Sequence, residues 1–293
     1  MHKSLFIAKS LRKSGILQRD WLTAFNFTLN KNLHGSKFKI PIIKNIGWNN
    51  IFEKEPWMTE LLAVLLPLNQ GIFVDVGVNI GQTLLKLKSI DQNMEYFGFE
   101  VNPSCIAYLK ELIRVNLFLY TNLMPFGLSD KTGVTKLQFY YQSEVDVTAS
   151  IISDYRPNDK VVKSEYVISS RLDELDLFFK KYIGIIKIDV EGSELEVLSG
   201  AKETISTHRP SLIIEILPAY SEANVNRINR QKQIESLFND LNYNIFMIEK
   251  DNNNHFKGFT RLYSFRVNGN ISQCDYLLVP EEKVSQISKL TPE

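Results

Sequence analysis

The chain has 293 residues, 44% of them apolar, which is enough for one large domain or for a domain carrying an appendage. Lys and Arg number 34 against 33 Asp and Glu, and the resulting formal charge of +1 excludes the basic footprint of a nucleic-acid binder. The two cysteines, Cys105 and Cys274, show neither metal-ligand spacing nor a disulfide framework, and the longest apolar run, 61–68, is too short to span a bilayer.

No secretory signal is expected from the first residues. The apolar stretch 5–8 is too short and is followed by Lys9, Arg12 and Lys13, so a cytoplasmic location is expected. Residues 3–13 form a weakly basic amphipathic stretch. A peripheral membrane contact is one reading of it, and a packing helix or frayed end is preferred. Residues 1–55 are expected to form an N-terminal appendage of helix and short strands, with 35–42 alternating as one strand and Trp48 and Trp57 as packing anchors. Residues 56–293 are expected to form the main domain, opening with a helix over 56–66 that has Pro56 in its first turn.

The alternation then becomes strand and helix. A strand is expected at 71–76 and a helix at 80–89, joined by the tight turn Gly77-Val78-Asn79-Ile80-Gly81. Such a turn lets the backbone approach a ligand and aims N–H groups at it. A second strand at 95–100 ends in Glu100, where a carboxylate can accept two hydrogen bonds from a ribose diol. Nicotinamide sites normally carry G-x-G-x-x-G, whereas here Asn79 stands where a pyrophosphate needs the middle glycine. Asp75, ahead of the turn, suits a cationic amino-acid end. The set Asp75, Gly77, Asn79, Gly81, Thr83 and Glu100 therefore fits S-adenosylmethionine better than NAD. A nicotinamide oxidoreductase remains the rival of the same fold.

A helix over 103–115 and a strand over 118–126 follow. Ser129 and Asp130 come next, placed either to meet an adenine or simply to turn the chain toward Gly133. Strands at 134–141 and 161–168 interrupt the rhythm, with a polar loop between them, and read as an inserted β-hairpin-like unit over about 134–168. A helix at 173–179 leads to a strand at 184–190 containing Lys187-Ile188-Asp189-Val190-Glu191-Gly192. Asp189 and Glu191 share a face if the strand persists, and Ser193 is a candidate helix cap. The rest reads as a strand at 211–217 containing Glu215, a helix at 231–241, and strands at 244–248, 261–267 and 275–279. Of the four histidines, His2 and His34 lie in the appendage, His208 precedes a strand at the wrong end for catalysis, and His255 sits in an Asn-rich loop.

The segments 74–81, 186–198 and 210–216 resemble the FkbM-type family of S-adenosylmethionine-dependent methyltransferases, over roughly residues 70–280. The resemblance implies an α/β, Rossmann-like class I methyltransferase fold: a mainly parallel seven-stranded sheet with helices on both faces. It also implies O-methylation, often of sugars, glycans or other small hydroxylated metabolites. In that arrangement the Asp75–Gly81 turn lies beside Asp189 and Glu191, with Glu215 next. Asp189 is then the first candidate for the base that takes the acceptor proton, Glu191 the second, and Glu215 a further catalytic candidate. The same three acids also suit a hard divalent cation, which the sequence permits without requiring. A methyltransferase-like binding module without turnover is the non-enzyme rival. A homo-oligomer formed through the appendage is left open.

Overall fold

The computed structural model describes residues 26–52, 54–142, 145–146, 148–152, 159–176 and 181–287. The basic stretch 3–13 and part of the expected helix at 173–179 lie outside the described residues, and residues 172–174 form a short 3-10 turn.

The first described elements are β1 (Phe27–Leu33) and β2 (Ser36–Ile42), an antiparallel hairpin. It turns through His34 and Gly35, both at positive φ, as a two-residue hairpin loop requires. Helices α1 (Trp48–Ile51) and α2 (Pro56–Leu65) follow. The central sheet is built from β3 (Ile72–Val76), β4 (Tyr96–Phe99), β5 (Thr121–Met124), β9 (Ile183–Ile188), β10 (Ser211–Glu215), β11 (Tyr243–Lys250), β12 (Phe256–Leu262) and β13 (Asp275–Pro280). Its order is β12-β11-β13-β10-β9-β3-β4-β5. The run from β10 to β5 is parallel, and β13 enters antiparallel between β10 and β11. The sheet thus has eight strands rather than seven, because β12 pairs antiparallel with β11 at the edge.

Every residue of β3, β4 and β9 is buried, as expected of parallel strands covered on both faces. One face packs against the β1–β2 hairpin, α2, α3 (Gln82–Ile90) and α4 (Pro103–Asn116). The other packs against α5 (Glu194–Gly200), α6 (Lys202–His208) and α7 (Val225–Asp240). Side chains alternate between these layers: Phe73 and Ile185 join the first, Val74, Val76, Ile186 and Ile188 the second. Asp75 and Lys187 are direct cross-strand partners and therefore share the face of Phe73 and Ile185.

The interruption after β5 is a second, three-stranded sheet. β7 (Gly133–Phe139) and β8 (Lys163–Ser170) pair antiparallel, and the short β6 (Gly127–Leu128) adds to β8. Among the described residues, no helix is long and apolar enough to cross a membrane.

Candidate active site

The site lies at the switch point of the sheet, where the chain leaves β3 for α3 on one side and β9 for α5 on the other. Open α/β sheets bind ligands in this crevice. A cavity of about 240 Å³ opens there, lined by Gly77, Asn79, Phe99, Glu100, Asp189, Val190, Glu191 and Glu215 among others. A smaller one of about 80 Å³ adjoins it, reaching Trp57, Met58, Thr83, Lys187 and Asp275. The two share Glu55, Gly77, Asn79, Gln82, Asp189 and Glu215, so they form one two-lobed cleft.

The turn after β3 is fixed by close packing. Gly77 lies at φ 84, and a Cβ there would stand 1.9 Å from the Asp189 carbonyl oxygen. Only glycine lets β3 and β9 run this close at their carboxyl ends. Asn79 adopts a left-handed φ of 51. Its backbone N–H donates to Glu100 Oε2 at 2.6 Å, and Asn102 N–H donates to Glu100 Oε1 at 2.7 Å. Glu100 thus ties the first turn to the end of β4 while lining the larger lobe. Burial pushes its carboxyl above the usual range, against the pull of these backbone donors.

Four expected residues, Asp75, Gly81, Ser129 and Asp130, line neither lobe. Asp75 is fully buried beneath the turn, where it accepts a hydrogen bond from the Tyr96 hydroxyl at 2.7 Å and lies 3.4 Å from Lys187 Nζ. Sealed there, it lines neither lobe of the cleft, although Lys187 beside it on the same face does. Tyr96 reaches Asp75 by lying across Gly98, where a Cβ would meet its ring at 2.7 Å. Gly81 turns toward Leu109 and Leu112 of α4. Thr83 lines the smaller lobe. Ser129 and Asp130 form a turn in which Ser129 N–H donates to Ser170 O and the Ser129 carbonyl packs on Gly200. The larger lobe is lined at that point by Gly127 and Leu128.

The acids after β9 do meet. Strand β9 stops at Ile188 and Glu191 takes a left-handed φ of 51, so Asp189 and Glu191 do not share a strand face. Both nevertheless line the larger lobe with Glu215. Ser193 does not cap α5: its hydroxyl donates to Val190 O, and the Gly192 N–H is taken by Glu194 Oε1 at 2.8 Å. Lys187 Nζ lies 3.1 Å from Asp189 Oδ2. Burial works against the charge on Lys187, but Asp189 and Asp75 outweigh it and hold its pKa well above the ordinary value. Among the described residues, no group of three or more His, Cys, Asp or Glu side chains could hold a metal ion.

The surroundings of Glu215 favour its neutral form. Burial, together with the negative charges of Asp189, Asp275 and Glu191, pushes its carboxyl up to about 9. The unfolded chain loses that proton near 4.5, the ordinary value, whereas the folded protein keeps it to about 9. The stability associated with Glu215 is therefore whole below pH 4.5 and is lost as pH rises toward 9. Glu215→Gln removes this slope. Its stability should climb relative to the parent between pH 5 and 9. Melting curves at a series of pH values provide the check, and a constant difference between parent and variant across that range would show that the Glu215 proton is not held.

Four other lining residues have no motif of their own: Glu55 and Gln82 at the junction, Asp275 in the smaller lobe, and Asp146 from the insertion. Asp146 accepts hydrogen bonds from Tyr140, Tyr141 and Thr148 and shapes the loop that brings Ala149 and Ile151 to the larger lobe. Neither His208 nor His255 lines the cleft. His208 Nδ1 accepts from Ile183 N–H at the far end of β9, and His255 pairs with Glu60.

A family model for the methyltransferase FkbM domain matches residues 75–245, more than half of the chain. The chain belongs to the FkbM methyltransferase family. Among relatives, methyltransferase sdnD of Sordaria araneosa is 27% identical over 164 residues, which is 47% of this chain and 62% of that protein. The FkbM methyltransferase structure from Methylobacillus flagellatus KT is 18% identical with a TM-score of 0.43, covering 72% of this chain and 43% of its own. The structure of Aeropyrum pernix fibrillarin with natively bound S-adenosyl-L-methionine is 10% identical with a TM-score of 0.40, covering 86% and 81%. This FkbM-family chain thus spans less than two thirds of sdnD and less than half of the Methylobacillus protein.

Proposed function

We propose that this FkbM-family protein is an S-adenosylmethionine-dependent O-methyltransferase that acts on a hydroxyl of a sugar, a glycan or another small hydroxylated metabolite. The carrying observation is that Glu100 and the Gly77–Asn79 turn line the same cleft as Asp189 and Glu215. Donor recognition and proton removal are thereby brought within one ligand's length.

The residues present fit the cofactor. The close backbone approach at Gly77 makes a cradle that a side chain would fill, and Glu100 retains acceptor capacity on both oxygens after its backbone bonds. Glu100 would hold the ribose diol, with Phe99, Val101, Gly127 and Leu128 beside the base and the insertion residues Ala149 and Ile151 shielding it from water. When bound, S-adenosylmethionine supplies a sulfonium methyl: the acceptor oxygen bonds to that carbon as the carbon–sulfur bond breaks, and its electron pair stays on sulfur. Asp189 accepts the proton that the hydroxyl gives up. Lys187 fixes the Asp189 carboxylate from below. Neutral Glu215, on the shared wall, can donate a hydrogen bond to an acceptor hydroxyl, orienting it without adding a second negative charge. A bound divalent cation at these acids is not needed for this scheme. We read the protein as cytoplasmic.

Removal of the ribose contact should be measurable directly. Glu100→Ala is expected to weaken S-adenosylmethionine by roughly 10–100-fold, the worth of charge-assisted hydrogen bonds to a diol. Unchanged affinity by calorimetry would take Glu100 out of the site. Transfer of label from methyl-labelled S-adenosylmethionine to hydroxylated acceptors tests the activity itself. Reduction of a nicotinamide in the same assay, without methyl transfer, would favour the oxidoreductase reading.

A further inference from the structure

Glu55 lies outside the span 75–245 that defines the family, yet it lines both lobes of the cleft. It is the residue before Pro56, held at a left-handed φ of 56 at the start of α2. Asn79 and Glu191, which also line the cleft, are held at left-handed φ as well. The surroundings here are specific. Lys86 Nζ of α3 binds Glu55 Oε2 at 3.0 Å. Met58 N–H returns to the Glu55 carbonyl at 3.1 Å, and Trp57 N–H donates to Asn254 O at 3.1 Å. The Trp57 ring lies 4.6 Å from Lys250 Nζ, which is itself paired with Asp275 on the wall of the smaller lobe.

Three carboxyls stand at the junction of the lobes: Glu55, Asp189 and Glu215. Burial beside other acids disfavours a charge on Glu215, and Asp189 is bound by Lys187. Glu55 is half exposed and has lone pairs beyond the one that Lys86 engages. Resting on the reading that Glu100 holds the cofactor's ribose, the amino-acid end leaves the larger lobe toward this junction. Gly77, Asn79 and Gln82, which line both lobes, would flank it there. Asp75, sealed below the turn, offers that end no charge.

We propose that Glu55, supplied by the segment N-terminal to the family domain, binds the ammonium group of the cofactor's amino-acid end. The appendage then completes the donor site rather than only flanking it. Lys86 sets the carboxylate's position, and the left-handed turn before Pro56 aims it into the cleft.

The test compares two ligands by calorimetry on the full chain. S-adenosylhomocysteine carries the amino-acid end; 5′-methylthioadenosine has the same nucleoside and a thioether without it. Glu55→Gln keeps size and a hydrogen-bonding oxygen while removing the charge. It should weaken S-adenosylhomocysteine about tenfold and leave 5′-methylthioadenosine within twofold. Equal affinity of parent and variant for S-adenosylhomocysteine overturns the proposal. So does a parallel loss of both ligands with a lowered melting temperature, which would mean that Glu55 acts only through the fold. Lys86→Met removes the positioning partner but not the charge, and should keep part of the preference for S-adenosylhomocysteine. If the parent chain binds neither ligand, the nucleoside reading itself fails first, an outcome distinct from all of these.

Discussion

Asp189→Asn is expected to lower methyl-transfer turnover by about 10²–10⁴-fold, the usual worth of a positioned general base, while the affinity for S-adenosylmethionine changes little. Asparagine keeps the shape and an oxygen to accept from Lys187, which lies 3.1 Å from the carboxylate. It cannot take a proton from the acceptor. In the proposed site the nucleoside contacts would come from other elements, chiefly Glu100 and the Gly77–Asn79 turn, so the two readouts should separate. Glu191 lines only the larger lobe, and burial beside other acids disfavours a charge on Glu215, so neither is placed to substitute fully. Single-turnover rates together with cofactor titration provide the check. A rate within about threefold of the parent would remove Asp189 from the chemistry.

Much of this site is legible in the sequence because it is made by two local units. Apolar runs that end in Gly77-x-Asn79-x-Gly81 and in Asp189-x-Glu191-Gly192 announce strands that stop abruptly, and parallel strands buried on both faces leave just that mark. Asp75 shows where local reading ends. Its buried direction follows from strand alternation, but the charge that accepts it there is Lys187, whose pairing depends on a register between strands far apart in sequence. Edge elements are less visible. Strand β12 runs Phe256–Leu262 rather than 261–267, beginning next to the Asn-rich loop and carrying Gly258 at φ 151. Helix α7 starts at Val225, six residues before the expected point, because its first turns are mostly polar and carry no apolar period. Glu55 has no motif at all, since its role is set by where α2 packs against α3 and β12.

Gly77→Ala should be among the most damaging substitutions in the chain. Two independent costs meet at this residue. Its φ of 84 is one that an L side chain adopts at about 1–2 kcal/mol. The new Cβ would also stand 1.9 Å from the Asp189 carbonyl oxygen and 2.9 Å from its carbon, and these are backbone atoms that cannot swing aside. Overpacking of this kind costs roughly another 1–3 kcal/mol. Relief requires β3 and β9 to part where Asp189 N–H bonds Val76 O at 3.0 Å, or the turn to leave Phe99 O, to which Gly77 N–H donates at 2.9 Å. Either movement separates the donor-binding turn from Asp189, so binding and turnover fall together with stability. Gly35 is the control: its φ of 82 is nearly the same, but nothing lies within 4 Å of where its Cβ would stand. Gly35→Ala should therefore show the conformational cost alone, and Gly77→Ala about 2–5 kcal/mol in all, seen as a melting temperature lower by several degrees. Equal losses for the two alanine variants in denaturant titration would mean that the strands do not approach this closely, and the joining of the two halves of the cleft would have to be explained by other contacts.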